Sequence, residues 1–503
     1  MTPRSTTDFD VIIVGLGPTG ATLAHLLALC QVKTLVLERE RDVYPLPRAV
    51  HFDDESMRVF QTVGIAERLL QNIRVNPGMQ FFDASQKLLL DWSRPTAISD
   101  QGWHPSYRFH QPDLEHLLRE HLVTRREVTI ELGAEVTAVD VQPDNSSESG
   151  CRVVEFRDST GVKQNKSALY VVGCDGANSI VREAMKTDYD DLGFRERWLV
   201  VDLLLQRDIP ELGDFTQQHC NPARPSTYVR CPDNRRRWEF ALHDHESDEQ
   251  MRQPEKLWSL LEPWLVPEDA EIERSAIYTF RSTLSQLWYQ DRCFVAGDAA
   301  HLTPPFMGQG LCCGLRDAAN LAWKLAHCVQ HAHSESLLQS YQQERAPHME
   351  VYLKTAIQLG GLINTCATEE ALRSSLLNPD GTAKMKSIAP RLGAGLTSGQ
   401  SEHRGQLFPQ PLLADGRRLD DAAGYASVLL AEQALTSQLD RSDRTLEVIT
   451  EQECPALVEL LPRWNCRALL LRPDRYVLGT ANTLSDTLDL LKGFDSLQTA
   501  QQL

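Results

Sequence analysis

The first residues able to do chemistry are three glycines, Gly15-x-Gly17-x-x-Gly20 in VIIVGLGPTG, and an acid, Glu38, at the end of the next apolar run. Glycine lets the chain turn at the first position, lets a pyrophosphate approach the backbone at the second, and lets a helix pack close to a strand at the third. The free N–H groups of the helix that opens there would face phosphate. Glu38, with Arg39 beside it, is placed to accept from a ribose hydroxyl, and an acid there favours an unphosphorylated adenosine ribose, as in FAD or NAD. This motif alone does not choose between the two.

A second glycine-rich stretch does. GDAAHLTPPFMGQGLCCGLRDAANLAWKL, residues 297–325, again runs from a strand into a helix. A flavin needs a second set of contacts for its ribityl chain and ring head, far from the adenosine end. Asp298 can accept from ribityl hydroxyls. The Gly308-Gln309-Gly310 turn opens a helix whose amides would face the negative charge of a reduced flavin ring, and Pro304-Pro305 would stiffen backbone beside it.

The elements that must position these residues are strands and helices in alternation. DVIIV, ATLAHLLAL and TLVLER form a βαβ unit, which parallel sheets require. ALYVVGCDGA (168–177) and RCFVAGDAA (292–300) are further strand ends, so one α/β nucleotide domain is assembled from distant segments. The runs WLVVDLLLQ, TYVRC, RRWEFALHD and RSAIYTFRSTL suit an inserted, mainly antiparallel sheet that could cover a ligand. The expected division is a Rossmann-like nucleotide domain from 1–75, 106–185 and 286–345, and a substrate-binding sheet domain from 76–105 and 186–285. A helical segment and linker over 346–411 and a small α/β tail over 412–503 complete the chain, with Pro347 at a helix start or kink.

Composition sets the frame. The chain has 503 residues, enough for two or three domains, and a formal charge of −18, which argues against a nucleic-acid partner or an anionic membrane surface. Arg235-Arg236-Arg237 is the one compact basic run and is expected at a solvated strand edge or turn. Twelve cysteines occur without a C-x-x-C pair or zinc-type spacing, so no metal is called for. With no signal peptide and no run long enough to span a membrane, a reducing cytoplasm is expected.

Taken together, GLGPTG (15–20), CDGANSIVR (174–182) and the 297–325 block, in this order and spacing, resemble the flavoprotein aromatic hydroxylases, the single-component group A monooxygenases. PRAVHFDDES, YRFHQPDLEHLL and RRWEF look closest to the 3-(3-hydroxyphenyl)propionate hydroxylase and phenol hydroxylase branch. The resemblance implies FAD as cofactor and NADH or NADPH as co-substrate. It implies hydroxylation of a small phenolic substrate by O2, ortho to an existing hydroxyl, through a C4a-hydroperoxyflavin. It places Asp175 near the pyrophosphate, followed by Ser179 and Arg182, and makes Arg48, Gln111 and Pro305 flavin contacts. It also gives the tail, 412–503, as a shortened thioredoxin-like domain without its redox pair, suited to packing or to supporting a homodimer.

Proton handling then falls to His51, near the ring, and to Tyr107, which could bond a phenolate; packed or structural roles are the alternatives for both. For His301 the resemblance implies a role in supporting structure or the flavin. On the inserted sheet, alternation sends Tyr228 and Arg230 to one face, either toward substrate or toward solvent, and Trp238 and Tyr278 join them as substrate-binding candidates. Rival readings are Baeyer–Villiger oxidation, epoxidation or hydroxylation of a polycyclic phenol on the same machinery, and a flavin-binding protein without turnover.

Overall fold

The computed structural model describes residues 7–140, 150–365, 370, 374, 388–396, 401–437 and 446–499. Its first sheet is built on Phe9–Val14, which pairs in parallel with Thr34–Glu38 on one side and Lys163–Gly173 on the other. Val128–Leu132 extends it beyond Thr34–Glu38, and Cys293–Val295 lies parallel beyond Lys163–Gly173. Val11, Ile12 and Ile13 are 0 % exposed, as expected of a strand covered on both faces. Because Phe9–Val14, Lys163–Gly173 and Cys293–Val295 are neighbours and parallel, the turns that follow them, at Gly15, Cys174 and Ala296, emerge along one edge. In open α/β sheets that carboxyl edge is where ligands bind.

The second sheet runs in the order 301–302, 270–285, 189–205, 235–241, 226–230, 216–219, 78–82, 88–93 and is antiparallel except where 78–82 meets 216–219. One face carries Leu199, Val201, Leu203, Tyr228, Trp238 and Phe240 into a core closed by Leu257 and Leu261 of the helix Pro254–Leu261. The other face turns toward the first sheet. Strand 301–302 belongs to this sheet, although it lies within a segment expected in the nucleotide domain. The basic run departs from expectation too. Arg235–Ala241 is an interior strand, and Arg236 and Arg237 are each only 2 % exposed, because their charge is met by buried acceptors.

The third sheet has the order 447–450, 428–431, 468–471, 477–481; its first pair is parallel and the rest antiparallel, and the helix Leu484–Thr499 follows. That is a thioredoxin-like topology. Pro347 does not start a helix, since it lies inside the single helix Glu335–Thr365. This helix and Gly310–Gln330 carry the tail through a buried ionic cluster. Glu344 accepts from Arg472 at 2.8 and 2.9 Å, from Lys324 at 2.7 Å and from Asn320 at 2.9 Å, while Arg472 also pairs with Asp474 at 2.6 Å. Burial pulls the Lys324 amine down to about 8, against the opposing pull of Glu344.

Removing one member of such a cluster strands the others in low dielectric. Glu344→Ala is therefore expected to destabilise the protein by about 3–5 kcal/mol, read as a lowered urea midpoint. A change below about 1 kcal/mol, the range of exposed pairs, would contradict this account of how the tail is held.

Candidate active site

Gly15 has φ +99°, and a Cβ there would stand 2.5 Å from the Cys174 carbonyl oxygen, so the first and second turns meet at a place only glycine fits. A Cβ on Gly20 would lie 2.1 Å from the Gly15 oxygen, which is the close helix-to-strand contact expected of the third glycine. Gly17 is different: a Cβ on it meets nothing within 4 Å. The backbone here is open to a ligand, and the helix Pro18–Leu29 that follows has no side-chain cap over its first amides. Glu38 braces the turn by accepting from Leu16 N at 2.7 Å and Glu40 N at 2.9 Å, which leaves lone pairs for a ribose hydroxyl. Arg39 stands away from the turn, 72 % exposed and paired with Glu40.

Thr19 joins this turn to the third one. A Cβ on Gly297 would meet its hydroxyl at 2.7 Å, and one on Gly314 would meet it at 2.3 Å. Asp317 holds the loop from the helix Gly310–Gln330, accepting from Gly297 N at 3.0 Å and from His301 Nε2 at 2.7 Å on one oxygen and from Arg345 at 2.8 Å on the other. His301 is thus a structural residue, as expected. Arg182 closes the circuit, donating to Ala177 O at 2.8 Å and Ala299 O at 3.0 Å.

At the second turn Asp175 accepts from Ile180 N at 2.8 Å with one oxygen; the other is buried without a partner, and burial raises its carboxyl above the usual range. Asp298 is exposed beside Gly297, and its carboxylate takes no hydrogen bond from the described residues. Gly308 adopts φ +62°, Pro305–Met307 forms the short turn before it, and Gly310 opens the long helix with no atom within 4 Å of a Cβ. The Gln309 side chain turns inward, accepting from Arg316 at 3.1 Å, so its part in the loop is through backbone. Arg316 is itself anchored on Asp53 at 2.6 Å and Glu55 at 2.5 Å.

Gln111, at the start of the helix Gln111–Leu122, accepts from Ala49 N at 2.7 Å and Arg48 N at 3.2 Å and so fixes the loop that delivers His51. Arg48 itself is exposed, with its guanidinium 5.0 Å over the Tyr44 ring. The same loop is held from the other side by residues that sequence reasoning missed. Arg237 donates to Pro47 O at 2.7 Å and Arg48 O at 2.8 Å while paired with Asp202 at 2.7 Å, and Arg274 binds the same carbonyl of Pro47 and the same aspartate. The alternation in RRWEF was the available signal.

His51 meets Gly308 O through Nδ1 at 3.3 Å and Ser106 Oγ through Nε2 at 2.7 Å. Ser106 Oγ already receives hydrogens from Arg94 at 2.8 Å and Asn76 at 2.9 Å, so its own proton goes to Nε2 and Nδ1 carries the ring proton. Burial, reinforced by Arg94, lowers the imidazole to about 4, so it is neutral at physiological pH. Ser106 was also missed. Nothing in the sequence marks Arg94, but the alternation around Tyr107 marks Ser106 as its opposite face.

Tyr107 itself points away from this group. It stacks on Phe52 at 5.3 Å, its hydroxyl accepts from His104 N at 2.9 Å, and burial pushes its phenol up to about 12. Tyr228 and Trp238 pack together at 4.8 Å in the core behind the second sheet, and Arg230 shares their face, paired with Asp214 at 2.7 Å. Strand alternation had placed Tyr228 and Arg230 together correctly but could not say on which side. Tyr278 does face the first sheet, on the rung of Trp198, stacked on Phe280 at 6.0 Å. Trp198 in turn meets Phe306 of the third turn at 5.8 Å, and Trp92 and Phe81 continue this apolar wall.

The open backbone at Gly17 and Gly310, the uncapped helix amides and the unpartnered Asp298 carboxylate suit the pyrophosphate, ribityl chain and ring head of FAD. Residues 8–356 match the family described as FAD binding domain. The chain is 37% identical over 96% of its length, and 94% of the relative's, to a probable NADH-specific resorcinol 4-hydroxylase of Rhodococcus jostii (strain RHA1). It is 33% identical over 93% of both chains to a 3-(3-hydroxy-phenyl)propionate/3-hydroxycinnamic acid hydroxylase of Burkholderia cenocepacia (strain HI2424). In structure it resembles the flavin-dependent monooxygenase PieE, with TM-score 0.80 and 19% identity over 98% of this chain and 99% of that one. A likeness to aklavinone-11 hydroxylase, with TM-score 0.78 and 19% identity over 98% and 100% of the two chains, speaks likewise for the fold. Three turns gathered on one sheet edge, a sheet laid over them and a full-length match to phenol-hydroxylating relatives make this chain a member of the FAD-dependent flavoprotein aromatic hydroxylases.

Proposed function

We propose that this enzyme uses NADH and O2 to hydroxylate a small, neutral phenol at the ring carbon ortho to an existing hydroxyl, releasing water and NAD+. The resorcinol 4-hydroxylase relative, matched over nearly all of both chains, supports the substrate class and the choice of NADH. Bound FAD supplies the reduction by NADH and the transfer of one oxygen atom to the ring. The chain's own residues bind the phenol, shield it from water and move its proton.

The observation that carries this reading is the group His51–Ser106–Arg94, which joins the flavin-head turn, through Gly308 O, to the substrate side of the molecule. A phenol hydroxyl that takes the place of Arg94 on Ser106 Oγ can pass its proton to that oxygen as the serine proton moves to His51 Nε2. The Arg94 guanidinium then faces the phenolate, whose charge activates the ortho carbon. Trp92, Trp198 and Phe306 supply apolar surface that keeps water away. A reducing cytoplasm suits cysteines that form no disulfide among the described residues.

Resorcinol and related phenols should stimulate NADH oxidation with stoichiometric formation of a product bearing one more ring hydroxyl, established by NMR. NADH oxidation that stays at background across a panel of phenols, with FAD bound, would overturn the proposal. His51→Ala and Ser106→Ala should each lower the hydroxylation rate by about a hundredfold and raise peroxide release, with FAD retained; an unaffected coupled rate in Ser106→Ala would remove the relay. Since His51 titrates near 4, its accepting form persists above that pH and is lost as pH falls through it. The His51-dependent acid limb of kcat should lie near pH 4, and a break near the ordinary histidine range that vanishes in His51→Ala would contradict this.

A further inference from the structure

The substrate side of the second sheet can be read rung by rung. Residues paired across neighbouring strands share a face, so Ala241, Trp198 and Tyr278 form one rung, and Arg237, Asp202 and Arg274 form another. The first touches the third turn, through Trp198 on Phe306. The second touches the loop before His51, through Arg237 and Arg274 on Pro47. Between them runs a rung of Thr227, Glu239, Val200 and Ala276, flanked by the rungs that reach Phe306 and Pro47. Three of its four side chains are short. Short side chains on this face are what the approach of an aromatic ring requires.

Glu239 is the one charged group on this middle rung. Its side chain is 12% exposed, and its carboxylate takes no hydrogen bond from the described residues. The nearest cation, Arg237, lies 3.8 Å away and is already committed to Asp202 and to the carbonyls of Pro47 and Arg48. Arg274 spends Nη1 on the Pro47 carbonyl and Asp202, and none of its nitrogens bonds Glu239. A carboxylate this enclosed, without a donor of its own, calls for a donor from the ligand.

We infer that Glu239 orients the substrate by accepting a hydrogen bond from a second hydroxyl on the ring, and that its charge turns away phenols with an anionic side chain. Resting on the functional reading above, this makes Glu239 the residue that selects dihydroxybenzenes. A site built to bond a hydroxyl discriminates strongly against the analogue without it, and a carboxylate ligand set against Glu239 would place two like charges side by side.

Wild type, Glu239→Ala and Glu239→Gln, each with FAD content measured, are compared on resorcinol and on phenol. Binding of 3-(3-hydroxyphenyl)propionate is followed by perturbation of the flavin spectrum. Glu239→Ala should raise KM for resorcinol by about tenfold or more and lower coupling, with KM for phenol within about twofold of wild type. Glu239→Gln, which can still accept, should recover much of the resorcinol affinity while binding the propionate more tightly than wild type does. Equal rises in KM for resorcinol and phenol, or propionate binding unchanged in Glu239→Gln, would overturn the inference. If wild type turns over neither phenol, the functional reading falls and takes this inference with it; if it turns them over and the variants move both alike, only this inference falls.

Discussion

The site depends on one close approach. Thr19, in the first turn of Pro18–Leu29, lies against Gly297 and Gly314 where a methyl group on either would collide with its hydroxyl. Two helices and the turn after Cys293–Val295 are thereby brought together on the one Thr19 side chain, and Asp317 fixes the arrangement from within Gly310–Gln330. The phosphate-facing turn and the flavin-head turn are separated by most of the nucleotide domain in sequence, yet they share this contact. Packing of this kind does not deform gradually, so the spacing between the two ends of the cofactor site is set by glycines rather than by the groups that touch the cofactor.

Buried charge does the rest of the positioning. Asp202 with Arg237 and Arg274 clamps the 47–48 backbone, Arg316 with Asp53 and Glu55 carries Gln309, and Glu344 with Arg472 and Lys324 holds the tail. Such clusters contribute little net stability, because desolvation cancels much of the Coulomb attraction. Their geometric demand is strict, and that suits loops which must present backbone and a neutral histidine to a ligand. His51 is held neutral by the same enclosure, its Nε2 lone pair accepting from Ser106.

Much of the fold was legible beforehand because it rests on local signals. The βαβ unit, the three strand ends and the inserted antiparallel sheet follow from apolar runs broken by Gly and Asp, and the thioredoxin-like tail follows from family resemblance. Of the two places local rules give Pro347, a helix start or a kink, the start is excluded, since the residue lies inside Glu335–Thr365. The Arg235–Arg237 run misled: charge alone suggests solvent, whereas the local carbonyl of Asp233 and the distant Asp202 and Pro47 take the hydrogens of Arg236 and Arg237. The glycine turns were legible because their geometry demands glycine, whereas Arg94, Asp202 and Glu239 carry no local signal and Ser106 only the strand alternation around Tyr107.

What the sequence determined by itself is the cofactor machinery, since positive φ, close backbone approach and uncapped helix amides each demand a particular residue at a particular place. Alternation likewise established that Tyr228 and Arg230 share a face. Only the tertiary structure decided which face meets the flavin turns and which is closed by the helix Pro254–Leu261. A period of two carries no sign. The side of a sheet that becomes a site is settled by what packs against each face, and here that means residues far away in the chain.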